Sequence, residues 1–296
     1  MRSLLCALAL CVLSAAPSGP LLAADGDAPA PPSLIVLNST AKNGALSLGG
    51  ENRLAVHKGD IAVNSSHTMA LSLFNSELEV LAGEVILNGG AHILGEGSIT
   101  PEPITGAELV EDPYTAQEFP EVTDVIANER LFISEGEVTL EPGVYYGGLT
   151  ISGEETKVTL SPGTYLIVNG DFAVLKAELT GEGITLLVSG DKPGKFVFGN
   201  GSRTTLSAPE EGPLKGMLLA TDGRIDGANS NIGFNDAKAT LTGAVYAPQG
   251  RVGVFFKSEV TAGRIVCFEY MMNTGAQVDL TGEVLAKDEK AEAPAG

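Results

Sequence analysis

The chain has 296 residues, with 37 Asp and Glu against 18 Lys and Arg, a formal net charge of −19, 37 Gly, 16 Pro and no Trp. So acidic a chain is excluded from following a phosphate backbone, which needs clustered Lys and Arg. A hydrophobic fraction of 44% argues against disorder, and the length suits one large all-β domain or two ordinary ones.

Residues 1–24 read as a signal peptide. Met1-Arg2 gives a positive start, an apolar run follows from Leu4 to Leu13, and Leu22-Ala23-Ala24 offers cleavage before Asp25, with cleavage after Ala16 as the alternative. The expected location is secreted, periplasmic or cell surface, with no transmembrane segment once the leader is removed. Cys6 and Cys11 fall in the leader. Cys267, in the apolar run Ile265-Val266-Cys267-Phe268, is then the only mature cysteine, which excludes an intrachain disulfide and reads as a buried, inert thiol. Residues 25–33 form a Pro-rich linker into a β domain expected over 34–286.

Repeats dominate that domain. Ala45-Leu46-Ser47-Leu48 recurs as Ala70-Leu71-Ser72-Leu73, and Ile61-Ala62-Val63-Asn64 as Val85-Ile86-Leu87-Asn88. Val138-Thr139-Leu140-Glu141-Pro142-Gly143 recurs twenty residues later as Val158-Thr159-Leu160-Ser161-Pro162-Gly163, and Leu179-Thr180-Gly181-Glu182-Gly183 continues the series. Leu241-Thr242-Gly243, Thr261-Ala262-Gly263 and Leu280-Thr281-Gly282 repeat near the C-terminus. Each unit is a short alternating strand, a turn and another short strand. A unit of this size cannot bury its own apolar side, whereas stacked units can. The expected fold is all-β, a single-stranded parallel β-solenoid (right-handed β-helix) with coils of about 20 residues. Val138, Val158 and Leu179 should form one inward ladder, Leu140, Leu160 and Gly181 another. Gly143, Gly163 and Gly183 should share a corner with φ > 0.

The repeat breaks at an acidic, Pro-rich excursion over 101–128, and Asp124 to Arg130, which overlaps its end, is the best helical candidate. A second excursion, Thr221 to Asp236, is rich in Asn, Asp and Gly. Residues 287–296 are expected to be a disordered tail.

Catalytic signatures are missing. No nucleophile elbow, zinc-helix pair or phosphate-binding loop occurs. His57, His67 and His92 read as solvated turn residues, and Gly199-Asn200-Gly201-Ser202 as a β-turn. Asp222, Asp226 and Asp236 with Asn229, Asn231 and Asn235 form a weak calcium candidate of no known loop spacing. Arg203 and Arg224 stand without a partner pattern. Tyr145, Tyr146 and Tyr165 are the candidate sugar platforms. Ice binding needs a flat outward threonine ladder; Thr139 and Thr159 align, but the row is expected to end at Leu179. No catalytic, cofactor-binding or metal residue is therefore assigned.

Several phrases in order resemble one family. They are Leu34-Ile35-Val36-Leu37-Asn38 followed by Gly44-Ala45-Leu46-Ser47; Thr105-Gly106-Ala107 with Asp112-Pro113; Leu140-Glu141-Pro142-Gly143-Val144-Tyr145-Tyr146-Gly147-Gly148-Leu149; Leu160-Ser161-Pro162-Gly163-Thr164-Tyr165; Gly212-Pro213-Leu214-Lys215-Gly216-Met217; and Leu241-Thr242-Gly243-Ala244-Val245-Tyr246-Ala247-Pro248. Over roughly residues 34 to 285 the chain resembles the extracytoplasmic region of bacterial TadG-like (Flp, or tight-adherence, pilus-assembly) proteins. The resemblance implies a secreted, β-rich surface module of solenoid type and carries over no catalytic residue.

These readings lead to an exported, non-catalytic β-solenoid with a surface-structural or adhesion role. The alternative is a polysaccharide-binding or polysaccharide-cleaving β-helix. A cell-surface protein or polysaccharide is the expected partner, self-association is open, nucleic acid is excluded, and no cofactor is expected beyond the weak calcium candidate.

Overall fold

The chain divides into two units, with the boundary between Ala30 and Pro31. The computed structural model describes residues 31–119, 122–222 and 232–285, all in the second unit. The leader, most of the linker and the tail lie outside the described residues.

Among the described residues there is no helix. Twenty-five strands form one large sheet that does not close into a barrel, and every pairing is parallel. Most strands are short and alternate. In Glu137–Leu140, Val138 and Leu140 face the core while Glu137 and Thr139 face solvent. A lone strand of this kind has no stability in water, so each is held by a neighbour above, below or both.

Successive strands join three ladders in rotation. Ladder A runs through Val125–Ala127, Gly143–Tyr146, Gly163–Val168, Ile184–Ser189, Met217–Thr221 and then residues 244–247 and 264–267. It continues through Leu34–Val36, Ile61–Val63, Val85–Leu87 and Ile104–Thr105. Ladder B includes Leu131–Ile133, Leu149–Ser152, Phe172–Leu175 and residues 196–199. Further along it residues 251–255 pair with 269–273, which in turn meet Leu46–Gly49, followed by Leu71–Phe74 and Ala91–Leu94. Ladder C begins at Glu137–Leu140 and ends at Ser98–Thr100.

The expected pairs Leu46 with Leu71, Ile61 with Val85, Val138 with Val158 and Leu179, and Leu160 with Gly181 are all present. The order of the rungs, however, is not the order of the chain. The last rung of the C-terminal block, residues 264–280, lies against the first of the N-terminal block, residues 34–56. Leu34 pairs with Ile265, Leu46 with Tyr270, and Arg53 with Gln277. The described chain thus begins in the middle of the stack, climbs to one end at Thr105, returns to the other end at Val125, and climbs back to the middle.

The return path is the acidic, Pro-rich stretch. Its borders are strands, Ile104–Thr105 and Val125–Ala127, and between them the chain is a strap laid over ladder A. The expected helix from Asp124 to Arg130 is replaced by the second of these strands. Its apolar residues Val125, Ile126 and Ala127 are consecutive and give no helical stripe, whereas Val125 and Ala127 pair with Val144 and Tyr145 across a register shift at Ile126. Asn88 Nδ2 donates to Ala107 O (2.7 Å), Asn64 Nδ2 donates to Val110 O (2.8 Å), and Val110 N donates to Asn64 Oδ1 (2.9 Å). Lower down, Gln117 Nε2 donates to Pro213 O at 3.0 Å. Val110, Tyr114 and Phe119 pack on an outer apolar cluster containing Ile35, Leu187, Ala220, Tyr246 and Val266. The geometry sets the strap's length. About ten rung spacings of ~4.8 Å make ~48 Å, and twenty extended residues reach no more than ~70 Å.

At the expected corner Gly143, Gly163 and Gly183 all have positive φ (149°, 140° and 65°), and Gly163 N donates to Gly183 O at 3.0 Å. The side on which a Cβ would stand is filled by proline, Pro142 at Gly163 and Pro162 at Gly183. A Cβ on Gly163 would lie 2.7 Å and 2.8 Å from ring carbons of Pro142, and its φ is +140°. Close approach and backbone geometry both require glycine there.

Candidate contact face on ladder C

On each strand of ladder C two side chains point outward. The first outward row reads Glu137, Lys157, Glu178, Arg203, Lys238, Glu259, Gln277, Arg53, Glu77 and Ser98. It holds four acids and four bases, 4 − 4 = 0, on a chain whose net charge is −19. Lys238 Nζ lies 2.8 Å from Glu259 Oε2.

The second outward row reads Thr139, Thr159, Thr180, Thr205, Thr240 and Thr261, then Asp279, Ala55, Glu79 and Thr100. Six threonines are therefore consecutive. The expectation that the row ends at Leu179 is overturned. The coil from Thr159 to Thr180 is one residue longer than the coil from Thr139 to Thr159, so Leu179 falls in the inward row over Val158 and Thr180 takes the outward place. Thr159 Oγ1 and Thr180 Oγ1 are 3.3 Å apart. β-Branched threonine suits this position because its methyl packs on the pleat while its hydroxyl stays in water.

Two shallow grooves lie on this face. One, of about 430 Å³, is lined by Glu137, Thr139, Lys157, Thr159, Glu178 and Thr180. The other, of about 260 Å³, is lined by residues that include Lys238, Thr240, Glu259, Thr261 and Asp279.

The remaining candidates are scattered. His57 Nε2 lies 2.9 Å from Asp279 Oδ1, His67 Nδ1 accepts from Met69 N at 3.0 Å, and His92 lies on ladder B. Tyr145 and Tyr165 are removed as sugar platforms, because both are fully buried and stack in the core with centroids 6.0 Å apart. Their hydroxyls donate to backbone oxygens, Tyr145 to Glu141 O (2.6 Å) and Tyr165 to Leu140 O (2.7 Å) and Ser161 O (2.8 Å). Burial, helped by the Glu141 charge, pushes the Tyr145 hydroxyl up to about 12. Only Tyr146 of the three is exposed. Cys267 faces the core, and burial drives its thiol far above the usual range, as an inert cysteine requires. Arg203 has Glu178 and Lys238 beside it in the outward row. Arg224 and three members of the calcium candidate, Asp226, Asn229 and Asn231, lie outside the described residues. Asp222 accepts from Ser189 Oγ at 2.6 Å, and Asp236 has φ 54° within the strand Ile232–Phe255. Among the described residues no group of three or more His, Cys, Asp or Glu is placed to hold a metal ion, and no helix is long and apolar enough to cross a membrane.

The family described as a domain of unknown function (DUF7305) matches residues 109–296. The chain belongs to this family. The match starts inside the strap, so it takes in the rungs from Val125 to Leu280 and leaves out the block from Leu34 to Thr105 that stacks on them. No curated protein and no solved structure matches the chain.

Proposed function

We propose that the three ladders wind as one right-handed β-solenoid with coils of about 20 residues, and that the protein is an exported, non-catalytic scaffold acting in surface structure or adhesion through ladder C. The observation that carries this reading is the row of six threonines beside a charge-balanced row. The whole chain's net charge of −19 repels an acidic cell surface, whereas this face presents hydroxyls and a charge-balanced row at a fixed spacing. The leader and the resemblance to TadG-like proteins support export and a surface role. The test is binding of the exported protein to a glycan panel and to intact cells, compared with a T159V/T180V/T205V variant. Valine keeps the shape and removes the hydroxyls. A tenfold or greater loss with an unchanged melting temperature is expected, and undiminished binding overturns the assignment of the face.

The two grooves favour a second reading, binding or cleavage of a polysaccharide along ladder C. Incubation with uronic-acid polymers, with and without Ca²⁺, separates the two. Release of shorter or unsaturated products establishes cleavage, and their absence leaves a binding face.

A further inference from the structure

The strap carries the chain from one end of the stack to the other, and both ends are left as strand edges. Among the described residues, Ala91–Leu94, Ser98–Thr100 and Ile104–Thr105 at one end are paired on one side only, as are Val125–Ala127, Leu131–Ile133 and Glu137–Leu140 at the other. Large exposed apolar side chains gather at these same edges, Ile93, Leu94 and Ile104 at the first and Val125, Ile126 and Phe132 at the second. Unpaired edges with apolar side chains are templates for another chain.

We infer that these two ends bind each other between copies, so that a second copy of this chain stacks head-to-tail and continues all three ladders. Two features of the molecule support a second copy as the occupant. The strands all run parallel and the ladders follow one another in the same rotation, so the first end of one copy meets the second end of the next with A over A, B over B and C over C. The molecule also already contains such a contact. The rung at 264–280 and the rung at 34–56 stack in full register although more than 200 residues separate them in sequence. The end-to-end contact has the same geometry and would place Thr100 of one copy next to Thr139 of the other. It is heterologous, so nothing closes it after two copies. Acidic groups oppose it at both ends, Glu96 and Glu102 at the first and Asp124, Glu129 and Glu135 at the second. Association is therefore expected to strengthen with salt, as the screening length falls from ~10 Å at 0.1 M to ~3 Å at 1 M.

The inference is independent of the ligand assigned to ladder C, because that face is not consumed by the contact. Sedimentation velocity on the exported protein, at rising concentration in low and in high salt, gives the first readout. Chains longer than dimers that grow with salt are expected. Ile104→Asp blocks one end and Phe132→Asp the other. Each variant alone should remain monomeric with an unchanged circular dichroism spectrum, while an equimolar mixture should give dimers and nothing larger, since one good end remains on each. A monomer at every concentration and salt overturns the inference. So does a dimer that survives both substitutions, which would place the contact on another surface.

Discussion

Glu269 joins the two blocks of the chain through its side chain. It accepts from Arg251 Nη2 at 2.6 Å and lies 3.3 Å from Lys42 Nζ, so a residue of the N-terminal block is tied to two of the C-terminal block. Burial works to raise its pKa, but the hydrogen bonds and charges of Arg251 and Lys42 outweigh that and hold the carboxyl below its usual range. A group with a depressed folded-state pKa stabilises the protein above its unfolded pKa, and that contribution fades as pH falls through the folded value. Glu269→Gln should therefore cost about 1 kcal/mol at pH 7, a figure reduced for the solvent at the rim of the pair. The difference between wild type and variant should shrink below about pH 4.3, the ordinary glutamate value. Urea midpoints at pH 7 and at pH 3.5 check both statements. Glycines give a second contrast. Gly163→Ala meets the Pro142 ring and an unfavourable φ, and should cost about 2–3 kcal/mol. Gly201→Ala has φ +82° with nothing within 4 Å, and should cost about 1 kcal/mol from backbone strain alone. Thermal denaturation ranks the two.

The strap is the element on which the arrangement depends. Tyr246 OH donates to Asp112 Oδ2 at 2.9 Å, its ring meets Tyr114 edge-on at 5.3 Å, and Arg264 Nη1 donates to Tyr114 OH at 3.3 Å. The same guanidinium donates to the carbonyls of Pro31 and Pro32, so strap and chain entry are fixed by one side chain. Tyr114→Ala removes a half-buried ring contact and a hydrogen bond, and should lower stability by about 2 kcal/mol and expose the strap to limited proteolysis before the ladders unfold. How much of this was legible beforehand differs between elements. Neighbouring rungs share a motif at a near-constant separation, so Leu46 over Leu71 and Val138 over Val158 can be read from the letters. The threonine row was missed because its separations are irregular: Thr180 to Thr205 and Thr205 to Thr240 span turns of different length, and only the backbone register removes the extra residues. The junction of 264–280 with 34–56 was hidden for another reason. Each rung edge accepts any rung of matching pattern, so local sequence carries no mark of which rung comes next.

At the level of the whole molecule, the non-sequential stack makes a kinetic prediction. Leu34 must find Ile265 before the middle of the sheet exists, and pairings of such sequence separation slow folding. Gly282 lies against Ser33 and Lys58, so the described chain enters and leaves at neighbouring points. A circular permutant with Leu285 joined to Pro31 by a short linker, and opened in the strap between 119 and 122, keeps every rung while making their order sequential. It should fold to the same spectrum and refold faster than the parent by stopped-flow measurement, whereas a permutant that fails to fold contradicts the rung order. The mid-stack position of both chain exits also has a mechanical consequence. Tension applied between Pro31 and Leu285 follows the shortest path, through the pairing of Leu34–Val36 with residues 265–267, and opens that seam one bond at a time. The outer rungs carry none of the load, so a pulled molecule would come apart at its centre while both of its tips stayed folded.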